Sequence, residues 1–354
     1  MTRGASEFCQ GYIGAAIALD LLKHGYHVRG SVRSLAKFKR LVAQPHFAPY
    51  HDRFDAVVVE DLATNDFAQA VKGVETVIHS ASPCFMSVDG PEQAEETMLR
   101  PAIEGTRSVV RAAIASGTVR QVILTSSFGA IFSFDDGAPC AQPAPRVYTE
   151  ADWNKASYED ALSSDVPGFA YSVSKTLAEQ AAYDLVHQVG DKADGGKTRI
   201  RIASLCAPLV VGPKVHAVEG GPGGLNDSLS RIWNVISGEC GPELPPWAFP
   251  VATDVRALAS AHRLVMEREQ EGRFIISNGA FDFAMVVDIA RQRFPDKANR
   301  LPTVKEQDCI ARLPDALRLN TTRSTTLLGI EYAPLEDVLA DMIGDLYASF
   351  DAPL

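Results

Sequence analysis

The chain has no run of apolar residues near the ~18 that cross a bilayer, which argues against a helical membrane protein. Positive charge is in short supply. The 34 Lys and Arg stand against 44 Asp and Glu, a net charge of −10, so neither nucleic acid nor an anionic membrane is expected as a partner. The six cysteines (Cys9, Cys84, Cys140, Cys206, Cys240 and Cys309) form no C-x-x-C pair, and scattered reduced thiols fit a cytoplasmic protein. The eight histidines lack metal-ligand spacing, so no metal is expected. The charged-then-apolar opening of a secretory leader is missing too, which again points to the cytoplasm. Neither an internal repeat nor a long low-complexity linker interrupts the chain. What remains is an ordinary globular composition, 46% hydrophobic and 22% charged over 354 residues, enough for one large domain or two smaller ones.

Within it, strand-like and helix-like segments alternate. "YHVRGSV", "RFDAVVVEDL", "ETVIHSAS" and "VRQVILTSS" read as strands, with helical stretches between them that include a long run from about Glu92 to Ser116. "TRIRIASLCAPLVVGP" reads as a further buried strand. Such alternation predicts an α/β fold, a doubly wound parallel sheet covered by helices on both faces. The rhythm changes near Pro213. Residues 1–213 are therefore expected to form a dinucleotide-binding domain, to which 248–268 return, and 214–354 a smaller, interleaved α/β substrate lobe. "TDVRALASAHRLVMEREQEG" is the clearest helix of the second part.

The stretch richest in chemistry is "YSVSKTLAEQAAYDLV". Tyr171 and Lys175 are four apart on a helical pattern, so both project from one face. A nearby ammonium favours phenolate, and a tyrosine tuned toward neutrality can protonate a developing alkoxide. The plainer reading is an i,i+4 surface contact. A second feature tips the balance: "QVILTSSFGAI" ends a buried strand at Thr125-Ser126-Ser127, where ligands bind in parallel sheets. Ser127 is placed to hydrogen-bond a carbonyl oxygen beside Tyr171, although a strand-end serine often does no more than satisfy loop backbone.

These segments, with "GYIG", "VRGSVRS", "EDL", "HSASP", "EGT", "LTSS", "APLVVGP" and "DVRALASAH", resemble the extended short-chain dehydrogenase/reductase family. The similarity runs from about Gly11 into the C-terminal region. It is strongest to the branch of dihydroflavonol 4-reductases, cinnamoyl-CoA reductases and aldehyde (methylglyoxal) reductases. The resemblance implies a Rossmann-type fold, the catalytic residues Ser127, Tyr171 and Lys175, and a second role for Lys175 on the nicotinamide ribose. It also implies adenine contacts from Asp61 and Leu62, ribose and nicotinamide contacts from Ala81 and Ser82, and a cofactor contact at Pro208. The sequence departs from the family pattern at Glu104, usually Asn, and at Ala207-Pro208, usually Asn-Pro.

An acidic residue ~20 positions past the glycines would select NAD through the ribose 2′-hydroxyl. Arg33 stands there instead. A guanidinium pairs with a 2′-phosphate, and Lys37 and Arg40 would add charge, so NADPH is the expected cofactor. The pocket is expected to be lined by Pro83, Cys84, Phe85, Phe128, Leu225 and Trp233, apolar groups that suit a small-molecule aldehyde or ketone. Each of these would serve equally well as core packing. The expected protein is thus an NADPH-dependent carbonyl reductase, monomeric or homodimeric. A nucleotide-sugar epimerase or dehydratase and an inactive cofactor-binding protein are the rivals.

One place does not fit. With Glu7-Phe8-Cys9-Gln10 removed, the opening reads "GASGYIG", a G-x-x-G-x-x-G turn built on Gly4, Gly11 and Gly14, with Tyr12 and Ile13 beside the cofactor. Those four residues would then be an insertion, and the apolar first strand is missing before it. A central strand of some four apolar side chains contributes on the order of 6–12 kcal/mol. The opening is therefore expected to be either incomplete or a degenerate cofactor turn, and the chain only marginally stable.

Overall fold

A computed structural model describes residues 3–7, 11–61, 66–84, 88–134, 146–190, 199–246, 250–309 and 317–351. Twelve strands are described, in chain order β1 (Arg3–Glu7), β2 (His27–Val32), β3 (Phe54–Val58), β4 (Thr76–His79), β5 (Gln121–Ser127), β6 (Val147–Tyr148), β7 (Arg201–Ala207), β8 (Leu209–Val211), β9 (Val251–Asp254), β10 (Gly272–Ile275), β11 (Gly279–Ala280) and β12 (Arg318–Leu319). Seven of them form the main sheet in the order β10-β7-β5-β4-β1-β2-β3, every pair parallel. The chain runs outward from β1 to β3, then crosses back to β4 on the other side of β1. This reversal leaves a crevice beyond the carboxyl ends of β1 and β4, where doubly wound sheets bind their ligands.

The first strand is present, against expectation. Arg3 to Glu7 pairs with His27 to Ser31 on one side, and Gly4 to Ser6 with Thr76 to Ile78 on the other. Parallel pairing runs through backbone N–H and C=O groups, so a strand of small and polar residues can fill a central slot. Gly4 consequently lies inside β1 and is not a turn glycine. Glu7 ends the strand rather than beginning an insertion, and Phe8, Cys9 and Gln10 lie outside the described residues.

The helix Tyr12–Lys23 has nine buried positions, including Ala15, Ile17, Leu21 and Leu22, and packs against the helix Val255–Glu267. A helix apolar on nearly every side belongs in the interior. Asp20 joins the two helices through Arg263 at 2.8 Å. On the opposite side of the sheet, Arg100–Ala115 packs against the 22-residue helix Phe169–Gly190. The long helical run expected from Glu92 is observed from Gly90 to Ala115, with a π-turn over Ala94–Leu99.

The second part forms a small sheet, β11-β9-β8, and a short pair, β12-β6. The helices Asp227–Ser237, Phe283–Arg293 and Leu335–Phe350 pack around it. The return to the large sheet extends beyond residues 248–268, because β10 becomes its edge strand beside β7. One apolar core, from Ile17 through Trp233 to Leu346, runs across both parts.

Candidate active site

β5 is buried along its whole length, because Val122, Ile123 and Leu124 sit mid-sheet between β4 and β7. Its last residue, Ser127, opens a tight turn and accepts a hydrogen bond from the Gly129 N–H at 3.0 Å. That turn packs directly on the long helix. A Cβ at Gly129 would lie 2.9 Å from Ser172 Oγ and 3.1 Å from Ser172 Cα. Glycine is what lets strand end and helix meet, and the adjoining Tyr171 reaches the Ser127 hydroxyl, which hydrogen-bonds its phenol.

Lys175, one turn further along the helix, donates to the Thr125 carbonyl at 2.8 Å. Burial lowers its pKa, and the thiol of Cys84 and the carboxylate of Glu179 oppose that shift. The Thr125 hydroxyl meets His262 Nε2 at 2.8 Å, and His262 Nδ1 lies 2.8 Å from the Leu258 carbonyl. Burial depresses His262 to about 4. The ring is therefore neutral near neutrality, with Nδ1–H donating to Leu258 and Nε2 accepting from Thr125.

The tyrosine does not titrate as the spacing with Lys175 suggested. Burial pushes the Tyr171 pKa up, the Cys84 thiol adds to the rise, and Ser127 opposes it. The cost of desolvating a phenolate outweighs the neighbouring ammonium. Tyr171 is accordingly a protonated phenol, the form that donates a proton. Cys84 is solvent-exposed, and packing and Asp227 both raise its thiol pKa, with Lys175, Arg231 and Tyr171 acting the other way.

The cofactor end has its own logic. The helix Tyr12–Lys23 starts at Gly11 with no side-chain cap and no acidic residue in its first turn. Its first N–H groups, at Tyr12, Ile13 and Gly14, need partners, and a helix N-terminus attracts anions. Tyr12 can offer only its backbone, because its buried ring donates to the Gly212 carbonyl at 2.7 Å. Past the β4 carboxyl end, Ala81 and Ser82 are half-buried, and Ser82 Oγ is sealed from solvent with no partner among the described residues. An orphaned hydroxyl there fits a ligand rich in hydroxyl and amide groups. Arg33 is exposed just past β2, and Asp61 is exposed beyond β3. Arg40 and Lys37 face Glu219 at 2.7 and 4.0 Å. Pro208 is half-buried between β7 and β8, while Leu62 lies outside the described residues.

The pocket expectations divide. Pro83 is half-buried next to Cys84, and Phe85 lies outside the described residues. Leu225 packs against the main core. Phe128 and Trp233 are both buried. Phe128 is buried against Phe132 and Tyr148, with ring centroids 5.7 and 5.6 Å away. Trp233 anchors the C-terminal helix through Tyr347 and Phe350, its indole N–H donating to Glu239 at 3.2 Å. The helix Asp227–Ser237 also brings the Asp227–Arg231 pair, 2.8 Å apart, within electrostatic reach of Cys84, and Asp227 acts on Tyr171 as well. Nothing in the glycine-rich sequence before that helix marks the pair.

Comparison with known proteins agrees with this arrangement. The model of the 3-beta hydroxysteroid dehydrogenase/isomerase family matches residues 9–184. An uncharacterized oxidoreductase of Schizosaccharomyces pombe is 33% identical over 95% of this chain and 94% of its own length. The NADPH-dependent methylglyoxal reductase Gre2 of Saccharomyces cerevisiae is 28% identical over 94% of each chain. The crystal structure of Candida albicans Gre2 with NADPH superposes with a TM-score of 0.82 at 27% identity, covering 99% of both chains. A seven-stranded sheet with its crevice at β1 and β4, a serine closing β5, a Tyr and Lys one helical turn apart, and full-length relatives of the same kind lead to one assignment: the chain belongs to the extended short-chain dehydrogenase/reductase family, among the 3-beta-hydroxysteroid dehydrogenase-like and Gre2-like members.

Proposed function

We propose that this chain reduces a small-molecule aldehyde or ketone to an alcohol at the expense of NADPH. The observation that carries the reading is the convergence of Ser127, Tyr171 and Lys175 at the carboxyl end of β5, next to the crevice beside β4. The Gre2 relatives of yeast and Candida, NADPH-dependent or bound to NADPH, supply the cofactor.

The first N–H groups of the helix Tyr12–Lys23 would take the pyrophosphate. Arg33, with Lys37 and Arg40, would take the 2′-phosphate, and Ser82 a hydroxyl or amide of the nicotinamide half. When bound, NADPH supplies the hydride for the carbonyl carbon. The protein's own residues handle the oxygen. Ser127 hydrogen-bonds it, and Tyr171, protonated because it is buried, delivers the proton. Lys175 is pinned to the Thr125 carbonyl, so its ammonium stays within the site without searching rotamers. The pocket mouth, with Pro83, Cys84 and the Asp227–Arg231 pair, suits a compact carbonyl compound with a polar end.

A cation where NAD-selective sites carry an acid argues against the nucleotide-sugar epimerase or dehydratase reading. The presence of β1 argues against an inactive protein. A cytoplasmic monomer or homodimer acting on free metabolites fits a net charge of −10, and no described helix is long and apolar enough to cross a membrane. The test is a panel of aldehydes and ketones with NADPH oxidation followed by absorbance. Turnover of at least one carbonyl with NADPH, far faster than with NADH, is the expected result. No turnover across the panel would overturn the reading.

A further inference from the structure

Directly behind the site lies an ion pair that the reaction scheme above does not use. Glu179 follows Tyr171 and Lys175 at the same spacing of four, so the three residues share one helix face. Its carboxylate is buried, and it is fully engaged: Oε2 accepts from the Ser126 hydroxyl at 2.6 Å and Oε1 from Arg273 Nε at 2.8 Å. Arg273, on β10, is buried as well; its Nη2 also approaches Glu179 Oε2 at 3.5 Å, and its other bonds go to backbone. It reaches the Glu150 carbonyl at 3.0 Å and the Ala130 carbonyl at 3.1 Å, and also the Asp152 carbonyl. Its guanidinium carbon stacks 3.7 Å from the Trp153 ring centroid.

The elements gathered here are the ones that shape the site. Ser126 precedes Ser127 on β5, and Ala130 ends the turn that begins after Ser127. Glu179 belongs to the helix of Tyr171 and Lys175, and its charge supports the ammonium form of Lys175. A buried ion pair is weak evidence for stability, because desolvation cancels much of the attraction, and an apolar pair of similar size often serves as well. A pair formed at that cost, with one end on Ser126 and the other on the Ala130 carbonyl beside the Ser127 turn, invites a role in the chemistry.

We propose that Glu179 is a positioning residue of the carbonyl reduction, seating Ser127 through Ser126 and holding Lys175 as a cation, with Arg273 as the clamp that fixes the carboxylate. The proposal rests on the reductase reading. The groups facing Glu179 are Lys175 on its own helix, Tyr183 one turn on, Cys206 on β7 and Arg273 on β10, and Lys175 itself is also faced by the thiol of Cys84. Arg273 and Lys175 are the cations among them, and Cys206, which also reaches Ser126 and Lys175, is kept a neutral thiol by burial, so Glu179 is the anion that acts on both Lys175 and β5.

The experiment compares wild type, Glu179→Gln, Arg273→Met and the double variant, measuring melting temperature, kcat, KM for a carbonyl substrate and the pH profile of kcat. Each single variant leaves a buried charge alone and should melt lower. The double variant removes both charges and should regain most of that loss. If Glu179 positions the reaction, the double variant stays at least about tenfold slow in kcat with KM within about threefold, and its alkaline limb moves to lower pH because Lys175 loses its ammonium sooner. If kcat recovers together with melting, or the limb stays in place, the role is structural and the proposal is overturned. Should none of the charge variants fold, Ser126→Ala, which loses one hydroxyl and no charge, decides the matter. A fall in kcat of about fivefold at unchanged KM supports the proposal, and an unchanged kcat refutes it. An inactive wild type would instead sink the reductase reading, so the two failures are distinguishable.

Discussion

Acidification should destabilise this protein well before its carboxylates protonate, and His262 is the reason. The ring is fully buried, and its two nitrogens are committed to the Thr125 hydroxyl and the Leu258 carbonyl. Its pKa falls from 6.5 to about 4 on folding. Between those values the unfolded chain binds a proton that the folded chain refuses, so stability rises with pH across the window and is lost as pH falls from about 6.5 toward 4. Near pH 5 this amounts to about 2 kcal/mol relative to neutrality, approaching about 3 kcal/mol at the acid end. Other groups titrate as well, so the measurement is differential. His262→Gln keeps an acceptor for Thr125 but does not titrate. Urea unfolding of both proteins at about pH 7.5 and about pH 5 should show wild type losing roughly 2 kcal/mol more than the variant. A gap that stays within about 0.5 kcal/mol at the two pH values would mean that the folded state accepts the proton as readily as the unfolded chain, and the burial argument would fail.

Four further outcomes follow from the geometry. Tyr171→Phe removes the hydroxyl that meets Ser127 and would donate to a substrate oxygen, so turnover should drop at least ~100-fold while NADPH titration is unchanged. Near-normal turnover would remove Tyr171 from the acid role. Arg33→Asp should weaken NADPH by roughly 1.5–3 kcal/mol and favour NADH; an unmoved NADPH/NADH ratio would transfer the 2′-phosphate to Lys37 or Arg40. Gly129→Ala drives a methyl group to 2.9 Å from Ser172 Oγ, and prying the turn from the helix should cost about 1–3 kcal/mol and slow turnover, checked by melting and kcat together. Trp233→Ala should cost about 3–5 kcal/mol in denaturant melts with KM unaltered, whereas a large rise in KM would return the indole to the substrate site.

Much of the site could be read from the chain because local rules govern it. Tyr171 and Lys175 share a helix face by spacing alone, and Ser127 closes a strand whose burial is written in "QVIL". The misreadings arose where partners are remote or local preference is weak. β1 was missed because Arg-Gly-Ala-Ser-Glu has little β-propensity, and its place is held by backbone bonds to β2 and β4. Phe128 and Trp233 look the same in sequence as pocket liners or as core, and their packing on Tyr148 and Phe350 is visible only in the assembled fold. The lowered tyrosine pKa inferred from Lys175 ignored desolvation, which is a property of the assembled site. Glu179 sits at a legible spacing in "YSVSKTLAE", but its meaning depends on Arg273, 94 positions away.

The edge strand β10 also bears on how the protein can be divided. It arrives at β7 only after the chain has built the β8-β9 ladder and the helix Val255–Glu267. A fragment ending at residue 213 would carry the whole of Ser127, Tyr171 and Lys175, yet β7 would present a bare hydrogen-bonding edge to any passing strand. Glu179 would lose the Arg273 guanidinium that clamps it. The large sheet is therefore closed only by residues that come long after its other strands in the chain, and a cut at residue 213 would remove its outermost strand.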